Sequence, residues 1–390
     1  MWRDMKLKVV RLVTEADVIL FHMQNTLKRM STDFEVCVVG SGVSRYRAVF
    51  PNMTFVDITI TRKPNLLADL RALIALCKLY RYYQPDIVHS IMPKAGLLSA
   101  LAGCLIGVPI RLHTFTGQVW AAQSGWSRRI YRLVDKIITA LNTTCTTDSF
   151  SQSAFLFENG ISKRGLPLPV LCKGSLSGVD PDRFNLQSMA AEANILRTKL
   201  RLDQKFVFTF IARKTRDKGA VDILKAFSLV APTCEEARLL FVGPDEDGEI
   251  DRLGTVHPEL FVNVTNIGQV VNHEIFLAIT DVLCLPSYRE GFGSIVIDAA
   301  AMQVPTIGSR IPGLTDSIVD GKTGLLFAPG NLNELVEHMR HLFENPALRQ
   351  EMGAAAKARV DEVFTADLLY AALKDFYLSF SPGRWQQFRQ

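Results

Sequence analysis

The chain has 390 residues, 48% of them hydrophobic and 21% charged, a composition that excludes collagen-like, coiled-coil and disordered classes. Its length suits two domains of ordinary size. Residues 1–180 carry 22 Lys and Arg against 12 Asp and Glu, whereas residues 181–390 carry 22 against 27, so the basic half points to anionic partners such as phosphorylated substrates or a membrane surface.

In chain order, apolar runs at 8–14, 35–40, 54–60, 86–90 and 110–114 read as strands. Helical periodicity at 18–30, 66–83 and 96–106 separates them. This βαβ alternation predicts a parallel sheet with helices on both faces. Gly178-Val179-Asp180-Pro181-Asp182 crowds turn formers together, and a connector is expected at 178–195. Alternation then restarts, with strands at 206–212, 237–242, 262–267, 282–285 and 305–309. Helices are expected at 219–230, 273–280, 294–302 and 332–344. Two doubly wound α/β domains in tandem follow, with ligands expected at the carboxyl ends of the strands, facing the cleft.

The longest apolar stretch, 95–110, is shorter than the about 20 residues of a membrane span. Met1-Trp2-Arg3-Asp4 opens no apolar leader, and a cytoplasmic chain is expected. The seven cysteines are odd in number and scattered, which predicts buried reduced thiols, with no disulfide framework or zinc pair. Arg71, Lys78 and Arg81 share one face of the helix at 66–83. Arg128, Arg129, Arg132 and Lys136 recur beside Trp126, Ile130, Tyr131 and Leu133. Each set reads either as a solvated helix face or as a membrane-surface patch.

The strongest chemical signal lies at 286–299. A buried strand ends, Glu290 and two glycines occupy a loop, and a helix begins near Ser294. Glycines let backbone N–H groups approach a ligand, and the helix N-terminus favours a phosphate. Glu290 can accept sugar hydroxyls, and Asp298 stands about one turn into the helix. Alone, an acid near a helix N-terminus accounts for the pattern equally well. Arg213-Lys214-Thr215-Arg216-Asp217-Lys218-Gly219 places four cations after a strand, as an anion site or a solvated loop. Asp245-Glu246-Asp247 matches Asp-x-Asp formally and reads as an acidic turn; no metal is expected. In the first half, His89 and His113 each end a strand, followed by Lys94-Ala95-Gly96 and Thr114-Phe115-Thr116; each histidine is a core residue or a site residue. No serine nucleophile elbow, Walker loop, dinucleotide fingerprint or zinc spacing occurs, and no nucleic-acid module is recognisable.

Glu290 to Asp298 resembles the Glu-x7-Glu signature of retaining glycosyltransferases of family four, with Asp in place of the second Glu. Arg213 with Lys218-Gly219 is similar to that family's phosphate site. Val242-Gly243-Pro244, Pro312-Gly313, Asp320-Gly321-Lys322-Thr323-Gly324 and, in the first half, Asp86 to Ser90 follow in the same order. The resemblance, nearest to bacterial surface-polysaccharide enzymes, implies a GT-B fold: two Rossmann-like domains facing a central cleft. It implies an acceptor domain at 1–178, a nucleotide-sugar domain at 179–365 and a helical tail at 366–390 crossing back to the first. It further implies Arg213 and Lys218 on a donor diphosphate, Glu290 on the donor sugar, and Gly291, Phe292, Gly293 and Ser294 alongside it. Asp298 falls on the ribose and His113 near the reacting carbon, with His89, Lys94, Gly96 and Thr116 on the acceptor side. The implied reaction moves a hexose or N-acetylhexosamine with retention and without a metal or other cofactor. The donor is a nucleotide-diphosphate sugar, expected to be a UDP-sugar. The acceptor is a polyprenyl-diphosphate-linked saccharide of surface polysaccharide or O-antigen synthesis. The enzyme would sit peripherally on an anionic membrane, at the inner face. The Thr14-Glu15-Ala16-Asp17 loop lacks the glycine pair many relatives carry there. A GT-B nucleotide-sugar epimerase and a non-catalytic sugar-binding protein are the alternatives.

Overall fold

The computed structural model describes residues 6–380. The opening segment Met1-Trp2-Arg3-Asp4 and residues 381–390 of the expected tail lie outside the described residues. The chain divides into two compact units, residues 1–178 with 366–390 and residues 179–365.

The first unit is built on β1 (Lys8–Glu15), β2 (Glu35–Ser41), β3 (Thr54–Asp57), β4 (Ile87–Ile91), β5 (Ile110–Phe115) and β6 (Thr144–Thr147). All pair in parallel in the order β3-β2-β1-β4-β5-β6. Parallel strands are covered on both faces, which explains their near-continuous apolar runs. Alternate residues serve opposite cores. Val9, Val13 and Val38 pack with Met23, Leu27 and Met30 near α1 (Gln24–Asp33), while Val10, Leu12 and Val39 pack with α2 (Leu66–Tyr83) and α3 (Pro93–Ile106). Right-handed crossovers running outward in both directions from β1 and β4 require this division of the helices.

Two further helices, α4 (Gly125–Leu141) and α5 (Phe150–Glu158), flank β6. The Lys163 ammonium closes α4 by donating to the carbonyls of Thr139 (2.9 Å) and Asn142 (2.6 Å), groups left unpaired at a helix C-terminus. The segment expected as one helix at 18–30 begins with a π-helical turn, Ile19–Met23, before α1. The expected connector at 178–195 is shorter: Asn185 caps the backbone N–H groups of Gln187 and Ser188, and α6 (Leu186–Lys199) starts there.

The second unit repeats the plan with β7 (Phe206–Ile211), β8 (Ala237–Val242), β9 (Val264–Ile267), β10 (Val282–Leu285), β11 (Thr306–Ser309) and β12 (Gly324–Phe327). Their order is β12-β11-β10-β7-β8-β9, all parallel. Its helices are α6, α7 (Ala220–Val230), α8 (Glu249–Val256), α9 (His273–Leu277), α10 (Ser294–Ala301), α11 (Leu314–Ser317), α12 (Leu332–Glu344) and α13 (Pro346–Val363). Phe208, Phe227, Phe241 and Leu335 fill one core, and Phe292, Ile297, Val360 and Phe364 another.

A last helix, α14 (Ala366–Leu378), belongs to the first unit. Leu373 and Tyr377 enter its core, and the Tyr377 hydroxyl lies 2.6 Å from both Arg11 Nη1 and His89 Nδ1. All seven cysteines are free thiols; Cys37, Cys145, Cys234 and Cys284 are buried, whereas Cys77 and Cys172 are half-buried and Cys104 is exposed. The expectation of buried thiols therefore holds for four of them and is corrected for Cys77, Cys172 and Cys104.

Candidate functional site

Strand order reverses between β7 and β10 in the second unit, the point where open α/β sheets bind ligands. The loops after these strands are drawn together there. Gly219 has φ +71°, and a Cβ on it would stand 2.0 Å from the Pro286 carbonyl oxygen, so only glycine allows this approach. The Tyr288 backbone N–H donates to the Asp217 carbonyl at 2.9 Å.

The four cations of the first loop divide into different tasks. Lys214 is buried and turned away, donating to Asn266 Oδ1 and the Ile267 carbonyl at the end of β9. Burial lowers its pKa to about 8. Arg216 is exposed and pairs with Glu249 at 2.6 Å. Arg213 and Lys218 remain at the loop junction. Arg213 pairs with Glu246 at 3.0 Å and lies 3.6 Å from Asp217. Lys218 Nζ lies 2.7 Å from Glu290 Oε1, which also accepts from the buried Ser287 hydroxyl at 2.9 Å. Arg289 reaches Asp217 at 2.9 Å. Burial opposes ionisation of Asp217, yet the Thr215 hydroxyl and the charges of Arg289, Arg213 and Lys218 hold its carboxyl below the ordinary range. The result is a lattice of three cations and three carboxylates, in which an incoming anion competes with Glu246 and Glu290 for the guanidinium and ammonium groups.

Beyond Glu290, the Gly291–Gly293 segment leads into α10. Gly293 takes φ +80°, and the loop passes so close to Gly313 that a Cβ there would stand 2.4 Å from the Gly291 carbonyl oxygen. The Phe292 ring is buried 5.3 Å from that of Phe364, so only its backbone can meet a ligand. Ser294 opens α10. Asp298 lies on the same helix, where His273 Nε2 donates to its Oδ2 at 2.9 Å. His273 Nδ1 faces Arg183 Nη2 at 3.5 Å, and Arg183 pairs with Glu274 at 2.7 Å. Sequence reasoning missed His273, which heads α9 and stands 25 residues from its partner. Asp245 of the acidic turn caps α8 by accepting from Ile250 and Asp251 at 3.0 Å each. Among the described residues no group of three or more His, Cys, Asp or Glu could hold a metal ion.

In the first unit the corresponding reversal falls between β1 and β4. His113 is paired in register with Ser90, and its Nδ1 lies 2.9 Å from Ser90 Oγ. Because the Ser90 hydroxyl also reaches the Leu112 carbonyl at 3.3 Å, donation from Nδ1–H leaves Nε2 as a bare acceptor with no hydrogen-bond partner among the described residues. Burial lowers the His113 pKa to about 3, so the ring is neutral. A Cβ on Gly96 would stand 2.5 Å from His113 Cε1, so this glycine is what admits the ring.

His89 differs. Its Nδ1 faces Arg11 (3.0 Å) and Tyr377 (2.6 Å), and its Nε2 faces Thr114 Oγ1 (2.7 Å), leaving neither ring nitrogen for a ligand. Burial holds its pKa well below the ordinary value, with the Arg11 charge acting in the same direction. Lys94 is likewise engaged, with Asp69 (2.7 Å), Thr61 Oγ1 (2.9 Å) and the Lys63 carbonyl (2.6 Å), tying the start of α3 to that of α2. Thr116 is half-buried in the turn after β5. Thr14, at the end of β1, carries a buried hydroxyl without a partner; an isolated threonine in a strand offers no signal by which to find it.

Residues 192–359 match the family Glycosyl transferases group 1, and residues 16–164 match the Glycosyl transferase 4-like domain. The chain is a group 1 glycosyltransferase. The capsular polysaccharide biosynthesis glycosyltransferase CapM of Staphylococcus aureus is 27% identical over 324 residues, covering 83% of this chain and 84% of CapM. A trehalose synthase of Thermococcus litoralis is 33% identical over 187 residues, 45% of each protein. Among solved structures, HepE from Anabaena in complex with UDP-glucose superposes with a TM-score of 0.79 at 16% identity, over 96% of this chain and 100% of that one. The glycosyltransferase has the GT-B fold, two Rossmann-like domains. Among the described residues no helix is long and apolar enough to cross a membrane.

Proposed function

We propose that this glycosyltransferase moves a hexose or N-acetylhexosamine, with retention, from a UDP-sugar to a lipid-linked saccharide in surface-polysaccharide synthesis, at the inner face of the cell membrane. The observation that carries this reading is the convergence of Arg213, Lys218 and Glu290 at the β7/β10 reversal, beside the N-terminus of α10. CapM, named for capsular polysaccharide, and HepE, bound to UDP-glucose, support the same chemistry.

In this reading Arg213 and Lys218 leave their carboxylates for the donor diphosphate, and the α10 dipole adds positive potential. Glu290, freed from Lys218 but still anchored by Ser287, accepts sugar hydroxyls, and Asp298 accepts from the ribose. The bond from the anomeric carbon to the diphosphate oxygen breaks as the bond to the acceptor oxygen forms on the same face. The acceptor proton passes to the departing phosphate oxygen. Arg213, Lys218 and the helix stabilise the developing charge, and no metal enters the scheme. His113 Nε2, neutral and unpartnered, accepts a hydrogen bond from a hydroxyl of the reacting sugars and takes up no proton.

The test is a panel of nucleotide sugars incubated with polyprenyl-diphosphate saccharides, following nucleoside diphosphate release and the anomeric configuration of the product, with and without a chelator. Retained configuration and chelator-insensitive release support the proposal. Inversion, abolition by the chelator, or interconversion of the donor sugar without any acceptor overturns it.

A further inference from the structure

On α4, Trp126, Ile130, Leu133 and Ile137 recur at intervals of four, three and four residues and so form a single stripe. They are 77%, 58%, 57% and 38% exposed. The opposite side of the helix buries Asp135, Ile138 and Thr139. On α2, Leu66, Leu67, Leu70 and Ile74 form a second uncovered row, 88%, 70%, 53% and 48% exposed, away from the buried Ala72, Leu76 and Tyr80. Helical faces this apolar are normally covered.

Both helices pack against α3 on the same face of the first sheet. Both also start at the carboxyl edge of that sheet, α2 after β3 and α4 after β5, so Leu66, Leu67 and Trp126 stand at the edge that carries Lys94 and His113. The surrounding charge is of one sign. Arg71, Lys78 and Arg81 border the α2 row, and Arg128, Arg129 and Lys136 border the stripe on α4; all are exposed. Each helix has one acid: Asp69, paired with Lys94, and Asp135, which is buried.

We propose that the outer faces of α2 and α4 form one docking surface that inserts its apolar rows into an anionic lipid bilayer. A second copy of this chain is a poor occupant, because it would set arginine and lysine against arginine and lysine. A bilayer with acidic headgroups meets both features: the side chains enter the acyl boundary and the cations meet phosphate. The surface is read from exposure and charge alone. Its use, holding the His113 edge against the membrane where a lipid-linked acceptor resides, rests on the function proposed above.

The experiment uses the full chain and vesicles of phosphatidylcholine with or without phosphatidylglycerol, read by co-sedimentation. Wild type should bind the anionic vesicles, weaken with salt, and keep a salt-resistant fraction from the apolar rows. The double variant Trp126→Ser, Ile130→Ser removes exposed groups only, so its melting temperature should be unchanged while vesicle affinity falls at least about tenfold. Arg71→Ser with Arg129→Ser should abolish the preference for phosphatidylglycerol. Equal binding by wild type and the serine double variant overturns the surface. So does absence of binding to either vesicle, or a wild-type dimer that the double variant dissolves. Transfer to a water-soluble acceptor separates the two proposals. Normal soluble transfer with vesicle binding lost in the double variant confirms the surface, whereas vesicle binding with no transfer to any lipid-linked acceptor refutes only the acceptor assignment.

Discussion

Lys218→Met keeps the aliphatic stem and deletes one charge. Lys218 Nζ lies 2.7 Å from Glu290 Oε1, with the two side chains 16% and 12% exposed, so solvent screens the site only in part. A unit charge about 4 Å from a departing phosphate oxygen, at an effective dielectric of about 20, is worth about 4 kcal/mol. Most of that is felt as charge develops on the leaving group, which corresponds to a loss in turnover of about 10²–10³. The substitution also strips Glu290 of its cation and leaves it the Ser287 hydroxyl, so a fall in donor affinity should accompany the loss of turnover. The assay is nucleoside diphosphate release at saturating donor and acceptor, with the melting temperature measured in parallel. A folded Lys218→Met enzyme whose turnover stays within about fivefold of wild type would refute the diphosphate role of this lysine.

His273→Ala should release Asp298 and raise the donor KM about tenfold at nearly constant kcat, the scale of one lost hydrogen bond; combining it with Asp298→Ala should add little, and additive effects would show that the pair does not act as a unit. Because the His113 pKa is lowered to about 3 in the folded protein while the unfolded chain titrates near 6.5, the unfolded state binds the extra proton and stability falls as pH drops from about 6.5 toward 3. His113→Gln should flatten that decline in melting temperature while transfer falls steeply at pH 7.5, and a variant with normal transfer would remove His113 from the site. Asp135 behaves in the opposite sense: burial pushes its carboxyl up to about 7 despite the bond from Trp120 Nε1. The stability it confers in protonated form is therefore lost as pH rises from about 4 through 7. Asp135→Asn should raise the melting temperature at pH 8 and change it little at pH 4; equal shifts at both would contradict the buried acid.

Apolar strand runs bounded by turn formers made both sheets legible, because strands covered on two faces cannot hide their pattern. β6 and β12 escaped: Thr144-Cys145-Thr146-Thr147 reads as polar, and Gly324-Leu325-Leu326-Phe327 is a short run opened by glycine. The threonines of β6 face buried partners, as in the 2.8 Å contact between Thr146 and Thr114. Asn185 falls within the expected connector, although its side chain is the signal that starts α6. In the second unit, Arg213, Lys218 and Glu290 could be listed from spacing, but not the pairing of Lys218 with Glu290, which the fold creates between loops more than 70 residues apart, nor that of Arg213 with Glu246, 33 residues on. His273 and Asp298 meet for the same reason. His89 and His113, alike in sequence context, differ because Tyr377, far along the chain, consumes one imidazole and not the other.

The return of α14 bears on how the protein is made. Arg11, buried in β1, finds its hydroxyl partner on Tyr377, and Asp33 at the end of α1 meets Lys374 at 2.7 Å and Tyr370 at 2.5 Å. These groups are translated only after the whole of residues 179–365. A nascent chain lacking α14 therefore has all six strands of the first sheet but not the helix that brings Leu373 and Tyr377 into its core, and Arg11 is without its hydroxyl partner, while the contiguous second unit already has every element it needs. The amino-terminal unit, ordinarily the first to finish during synthesis, can here be completed only after the whole of residues 179–365 has been made.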